Sequence, residues 1–538
     1  MLLTLLFGAA VLLNLHRGIW FWSDDWNFLL DRQGNGLHQL FGQHNGHFVL
    51  LPVLLFKFNA ALFGIGTMVP LHVISTALQL LVAALIYIFA TRRTDPWVAY
   101  SVAVIVLFLG QGWENILWSF QVGFLLAMAA GLGALLLYEL EGTRRTRVLT
   151  ALLLTVSVAS TGLGVIFLIG ISVRAIWRDE RKRAFTVLSM PSLVFAVWFL
   201  AVGREYRSGS SIEAAPQFAS DLVAFAFGAV AGTDPYWGRA VALVALIAIA
   251  TVIGRRDRIT AAQAGLLALP VAFWVLTSIQ RAGMSGPYPT RYAYVGALFF
   301  LLVSLEFLRD FHINTATRWC VIAFAAISVA GNFGHLIVGA RYLRSHTGVT
   351  RAELTAIEAS RSLGAARGAF DPTDPSFGAQ HVPLYLDLVP AGGSSPAFSE
   401  SELANGDEAA RASADRALTQ LELPSVTAAP PASATSNSAA PTVATLTGGT
   451  SIIDGSCVKF SPHGKAIVDM TLPQPGLVVL GTETVAVFSR RYSNGYQNMP
   501  VATIAAGRHL FSYPIDDSFA PWNIRLISTG VFQACSAP

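Results

Sequence analysis

Charge is what this sequence has least of. Lys and Arg number 36, Asp and Glu 32, together 13% of 538 residues against 54% hydrophobic side chains. Soluble domains carry roughly a quarter charged residues, so an ordinary soluble globule is excluded and lipid must be part of the solvent. Cysteine is nearly absent: Cys320, Cys457 and Cys535 leave room for a single disulfide. The net charge is +4, but the arginines stand in short clusters between apolar blocks, where they report orientation, so no nucleic-acid partner is expected. The first apolar block lacks a basic leader and a small-residue cleavage site, and Trp20, Phe21 and Trp22 follow it as an interfacial belt. It reads as an uncleaved anchor and not a secretory signal. Also missing is the internal repeat or matched pair of broken spans that many transporters carry.

What is present comes in two regions. Apolar blocks cover approximately residues 1 to 20, 66 to 90, 97 to 112, 120 to 140, 148 to 160, 165 to 177, 184 to 203, 237 to 254, 261 to 279, 291 to 308 and 318 to 340. The fold class expected is mainly α: a polytopic transmembrane helix bundle of about eleven spans over residues 1–340. Every second connection is basic: Arg92 and Arg93; Arg144, Arg145 and Arg147; Arg178, Arg181, Lys182 and Arg183; Arg255, Arg256 and Arg258; Arg309 and Arg318. The positive-inside rule makes these cytoplasmic and turns residues 21–65, 113–119, 161–164, 204–236, 280–290 and everything after 341 to the periplasm or cell exterior. A single helix over 148–177 would invert every later loop, so this stretch is read as a short hairpin broken at Ser160 to Gly164, with a pit above it.

Beyond residue 340 the composition shifts to Pro, Ala, Ser and Thr. Residues 341–422 read as a helical and irregular segment, 423–449 as a low-complexity linker, and 450–538 as a small β-sandwich of alternating strands. Cys457 and Cys535 bracket this module while Cys320 lies in a span, so a 457–535 disulfide is expected in an oxidising compartment. Tyr492, Tyr496, Phe511, Tyr513 and Trp522 are available to stack on sugar or to fill the module's core.

The first outer loop carries Asp24, Asp25 and Trp26 just past the first apolar block. Paired carboxylates suit a general base with a second group that orients it, raises its pKa or holds a metal; equally, Asp starts helices. Residues 37 to 64 read as one or two amphipathic helices interrupted by Pro52 and lying along the membrane surface. An acidic pair at the outer end of the first helix, surface helices in the same loop and a long series of spans resemble the GT-C superfamily of membrane glycosyltransferases. That resemblance covers about residues 1 to 340. It implies transfer of a sugar from a polyprenyl-phosphate donor to a glycan, lipid or protein acceptor of the cell envelope. Carried over, Asp24 or Asp25 is the base that deprotonates the acceptor, with Trp26 beside it.

Other residues extend the candidate site. His44 and His47 would share a face if helical and could complete a divalent-metal site with the Asp pair; surface hydrogen bonding is the alternative. Glu114 and Gln121 lie in a connection with Trp113 and Trp118, suited to sugar or to an aromatic belt. Arg204, Arg207, Arg281 and Arg291 sit on the outer side, against the general trend, and match either a donor phosphate or lipid headgroups. Arg291, next to Tyr292, follows a Pro-Tyr-Pro turn at the start of a span. Gln79, Asn332 and His335 read as bundle glue. The competing functions are a transporter or flippase for a lipid-linked glycan, and a non-catalytic envelope assembly protein.

Overall fold

The computed structural model describes residues 1–140, 142–206, 209–254, 258–284, 289–309, 311, 313–363, 371–373, 377–390, 394–429, 439–516, 518 and 520–537. Arg207, Arg255 and Arg256, the tip of the turn before Arg291 and the middle of the Pro/Ala/Ser/Thr stretch lie outside the described residues. The chain divides into two compact units: Met1–Ile19 with Asn27–Leu343, and Trp20–Trp26 with Arg344–Pro538.

The first unit contains α1 (Leu2–Leu15), and α2 (Asp24–Trp26) belongs to the second. The first unit continues with α3 (Leu37–Phe41), α4 (Leu50–Phe63), α5 (Val69–Thr91), α6 (Pro96–Leu107), α7 (Trp113–Leu117), α8 (Val122–Tyr138), α9 (Arg144–Val158) and α10 (Leu163–Trp177). Then come α11 (Arg181–Ala201), α12 (Ala215–Ala231), α13 (Pro235–Gly254), α14 (Ala261–Arg281), α15 (Thr290–Phe307) and α16 (Thr315–Ala359), whose residues to Leu343 lie in this unit. All eleven apolar blocks fold as helices. Among the described residues, eight helical stretches are long and apolar enough to cross a bilayer, with Leu2–Leu15, Leu50–Phe63, Leu163–Trp177 and Pro235–Thr251 as shorter apolar helices. The chain is a multi-pass membrane protein.

Local chemistry sets the helix starts. Asp95 caps α6 by accepting from Trp97 N, with Pro96 at the first position. Thr260 and Gln263 form a reciprocal capping box at α14. The break between α9 and α10 falls at 159–162, where the hairpin was expected. A Cβ on Gly164 would lie 2.3 Å from Val158 N, so only glycine lets the returning helix approach that closely.

Contacts group the connections as their charge does. Arg93 donates to Glu306 at 2.6 Å and pairs with Glu139, which Arg174 also approaches at 3.5 Å; Trp177 Nε1 donates to Ile259 O. On the opposite set, Ser211 N donates to Ala282 O, and Arg281 to Asn45 O. One expectation changes. Residues 204–236, read as a loop, contain α12, within a candidate span Ile212–Ala231. Pro216, Gln217, Ser220 and Asp221 dilute the hydropathy at its start, yet it packs closely: Phe227 meets Phe300 at 4.0 Å between ring centroids, and a Cβ on Gly238 of α13 would lie 1.9 Å from Ala224 O of α12.

The second unit holds α17 (His381–Leu388), α18 (Glu400–Ala404) and α19 (Glu408–Leu421), then β1 (Ser425–Ala428), β2 (Val443–Asp454), β3 (Cys457–Thr471), β4 (Leu477–Gly481), β5 (Val485–Arg490), β6 (Ala502–Ile504), β7 (Gly507–Ser512), β8 (Asn523–Ser528) and β9 (Phe532–Ser536). The strands make one antiparallel sheet, ordered β1-β7-β4-β9-β3-β8-β5-β6 with β2 on β3. The long β3 passes from β9 along Cys457–Phe460 to β8 along Ala466–Thr471, so a single bonded sheet curls nearly into a barrel. β5 and β8 alternate buried and half-buried residues with period two. β1 and the first residues of β2 lie within the stretch read as linker. The Cys457–Cys535 disulfide is formed between paired positions of β3 and β9. Phe511, Tyr513 and Trp522 are buried, with Tyr513 and Trp522 stacked at 4.2 Å, which makes them core and not a sugar platform. Tyr492 and Tyr496 are half-buried.

Candidate active site

The acidic pair sits on a turn under backbone strain. Ser23 has φ 51°, a left-handed conformation uncommon for a residue with a side chain, and it aims the next three residues into α2. Asp25 is fully buried and its Oδ2 accepts from Trp22 N at 2.8 Å, so it closes the turn on itself. This bond points back to the residue before the turn and not forward to the N–H groups of a helix beginning at Trp26. Asp24 is partly exposed. Trp26 is not a surface group beside the pair: it is 1% exposed and packs edge-on against Phe377 at 4.9 Å and tilted against Phe21 at 5.4 Å. The aromatic core beneath α2 thus fixes where the two carboxylates start. Arg351 stacks over Trp20 at 4.2 Å and over Phe398 at 3.9 Å on the same unit.

In the first unit, His44 and His47 are not on a helix. They face each other across a two-residue hairpin, with His44 N to His47 O at 3.1 Å and His47 N to His44 O at 2.9 Å. Asn45 (φ 51°) and Gly46 (φ 80°) form the turn. An Asn-Gly pair is the residue choice for such a tight hairpin, and that signal was present in the sequence. Pro52 likewise interrupts nothing, since it lies in the first turn of α4. His44 meets the Phe28 and Phe120 rings, each at 5.2 Å. Among the described residues no three His, Cys, Asp or Glu side chains converge to hold a metal ion.

His47 borders a cavity of about 240 Å³ whose wall includes Thr161 and Gly162 of the α9–α10 turn, Gln280, Arg281 and Tyr292. The pit expected above the short hairpin is thus present. Arg281 Nη2 bonds Asn45 O at 2.7 Å and approaches His47 Nε2 at 3.4 Å, while Nη1 donates to Tyr206 OH. Burial pushes the His47 imidazole down to about 3, with the Arg281 guanidinium acting the same way, so it is neutral at physiological pH. A guanidinium held by neutral groups keeps its charge available to an anion entering the cavity. Tyr206 and Asn45 were not anticipated as its supports; their pairing is tertiary and leaves no local pattern.

Glu114 and Arg291 come together. Glu114 Oε2 accepts from Arg291 Nη1 and from Arg291 N, both at 3.2 Å, so the carboxylate pairs the side chain and caps α15. Gln121 is buried, and its Oε1, both amide atoms of Asn115 and Ser119 Oγ have no hydrogen-bond partner among the described residues. Polar groups so placed call for water or a polar ligand. Arg204 is exposed in a short 3-10 turn, Gly203–Glu205. Gln79 bonds Tyr294 OH and the carbonyls of Val106 and Leu107, and Asn332 bonds Ala229 O and Gln111 N, as bundle glue does. His335 contacts Gln111 at 2.9 Å.

No family model matches the chain, and no curated protein matches it in sequence. Among solved structures it is similar to ArnT from Cupriavidus metallidurans bound to undecaprenyl phosphate, at 13% identity and a TM-score of 0.47, over 72% of this chain and 84% of that one. It is also similar to the arabinosyltransferase EmbB from Mycobacterium smegmatis, at 9% identity and a TM-score of 0.36. That likeness covers 98% of this chain but 64% of EmbB, so the chain spans less than two thirds of that protein.

Proposed function

We propose that this chain is a membrane glycosyltransferase that takes a sugar from a polyprenyl-phosphate donor and transfers it to a cell-envelope acceptor outside the cytoplasm. The observation that carries the reading is the division of labour in the acidic pair. Asp25 is consumed by the turn it closes, whereas Asp24 follows a strained Ser23 and remains partly exposed. A buried carboxylate that holds a strained turn positions its neighbour; an accessible carboxylate so positioned can take a proton from an acceptor hydroxyl. The multi-pass architecture and the resemblance of the first loop to GT-C enzymes support the donor class. The outer disulfide supports the extracytoplasmic placement.

In this reading the Asp24 carboxylate accepts the acceptor proton as the acceptor oxygen attacks the anomeric carbon, and the polyprenyl phosphate departs with the bonding electrons. Asp25 is a positioning residue. The test is single-turnover transfer by purified, folded Asp24→Asn and Asp25→Asn variants, with binding of the polyprenyl-phosphate sugar measured in parallel. Asp24→Asn should bind donor normally and lose on the order of a hundredfold in turnover or more. Asp25→Asn should lose less, because an amide oxygen still accepts from Trp22 N. Normal transfer by both variants overturns the proposal.

A further inference from the structure

A second cavity, of about 430 Å³, lies between α6 and α16 of the first unit. Its wall is Tyr100 and Val104 on one side and Ile322, Ala325, Ala326 and Val329 on the other, with Trp97, Arg318 and Trp319 at one end. From Arg318 to Val329 the groove runs about 16 Å along α16. At roughly 30 Å³ for a water-sized group, the volume holds about fourteen such groups, the bulk of a single acyl chain. The alanines make the furrow, and the lining below the tryptophans is apolar apart from Ser101 and the Tyr100 hydroxyl, which bonds Thr4 Oγ1 at 2.8 Å.

The end of the groove is chemically different. Arg318 Nη2 bonds Asp95 Oδ2 at 2.8 Å, and Asp95 also caps α6 through Oδ1. Arg318 Nε is buried without a hydrogen-bond partner among the described residues, and the guanidinium has further N–H donors to give. Trp97 and Trp319 flank this pair and are 56% and 65% exposed, the position tryptophan takes at a membrane–water boundary. The mouth therefore presents one positive and one negative group side by side at headgroup level, above a slot for one chain.

We propose that this groove binds one phospholipid whose headgroup carries both a phosphate and a primary ammonium, a phosphatidylethanolamine. The phosphate sits on Arg318, the ammonium donates to Asp95, and an acyl chain lies between α6 and α16. A glycerol headgroup would satisfy Arg318 through its phosphate but offer Asp95 only neutral hydroxyls, without the charge of an ammonium. A choline headgroup has no N–H to give Asp95. The pairing of charges, and not net charge, selects the lipid.

Cys320 makes the test direct, since it is an exposed free thiol two residues past Arg318 and the other two cysteines are bonded to each other. Full-length protein is labelled there with a fluorescent maleimide in detergent and titrated with bromine-labelled phosphatidylethanolamine, phosphatidylcholine or phosphatidylglycerol. Saturable quenching by the ethanolamine lipid at a concentration about tenfold below the other two is expected. Asp95→Asn should abolish that preference while leaving quenching itself, and Ala326→Trp, which fills the furrow without touching the ion pair, should abolish saturable quenching. Equal quenching by all three lipids in the unsubstituted protein, or preference for the glycerol lipid, overturns the proposal even if neither variant folds. Unchanged preference in a folded Ala326→Trp does so as well.

Discussion

In the unit of apolar helices, the most deeply buried ion pairing centres on Arg93, 2% exposed, which lies between Glu306 and Glu139 and over the Phe89 ring. The rest of that unit is held by close packing of small residues. The other unit is cross-linked. A disulfide joins β3 to β9, and Arg491, Asp516 and Glu422, all nearly inaccessible, make a second ionic cluster beside the sheet. A membrane unit gains nothing from the hydrophobic effect between its helices once inside lipid, so it relies on shape and on a few deep polar contacts. The unit that holds the sheet is built for water, and its small sheet leans on covalent and ionic ties.

Substitutions that remove these ties separate the two units. The largest effect is expected for Arg93→Met, which leaves the buried Glu306 carboxylate with only the looser Arg309 contact at 3.8 Å and should cost about 3–5 kcal/mol, seen as early thermal loss of the monomer peak in detergent. If Arg93→Met melts like the parent, the deep cluster does not hold the bundle. Next comes Cys457→Ser with Cys535→Ser, expected to destabilise the β module by about 2–4 kcal/mol. Protease resistance of the helices should be unchanged while cleavage within residues 443–537 rises. Equal sensitisation of both regions would erase the contrast.

The smallest effect is a slope. Burial, together with the Asp516 carboxylate beside it, pushes the Glu422 carboxyl up to about 8 from an ordinary 4.5. Between those values the unfolded chain has released this proton and the folded unit has kept it, so the folded state binds more protons and its stability falls as pH rises. The contribution is full below about 4.5 and is lost by about 8. Glu422→Gln should flatten that decline in the melting temperature of the outer unit without steepening any change in the helices. A slope that survives in the variant would assign the titration elsewhere.

Much of the fold was legible because hydropathy and charge parity are long-range averages. Eleven blocks and the α9–α10 break follow from them, and the break was visible because reading 148–177 as one helix would have put Arg181, Lys182 and Arg183 outside. The helix over 215–231 escaped because Pro216, Gln217 and Asp221 fall in its first half, and burial of its alanines and glycines depends on α13 and α15, which no local window contains. At the site, the acidic pair stood out by composition and place. The hairpin of His44 and His47 was hidden by counting spacing in helical turns when Asn45-Gly46 marked a reversal. That Glu114 pairs Arg291, 177 positions away, has no trace in the sequence at either residue.

The place of β9 in the sheet has a consequence for how the chain is made. It is the last strand of the module in chain order, yet it lies inside the sheet, with β4 on one side and β3 on the other. Until Phe532–Ser536 has been delivered, β3 and β4 have no strand between them and the half containing β1, β7 and β4 is not bonded to the half containing β8, β5 and β6. The module therefore cannot close strand by strand as it emerges; it waits, with two hydrophobic half-sheets open, for its final segment. A chain stalled or cut before Phe532 would present those edges to chaperones and proteases, which makes arrival of that strand a built-in check that the module has been delivered whole.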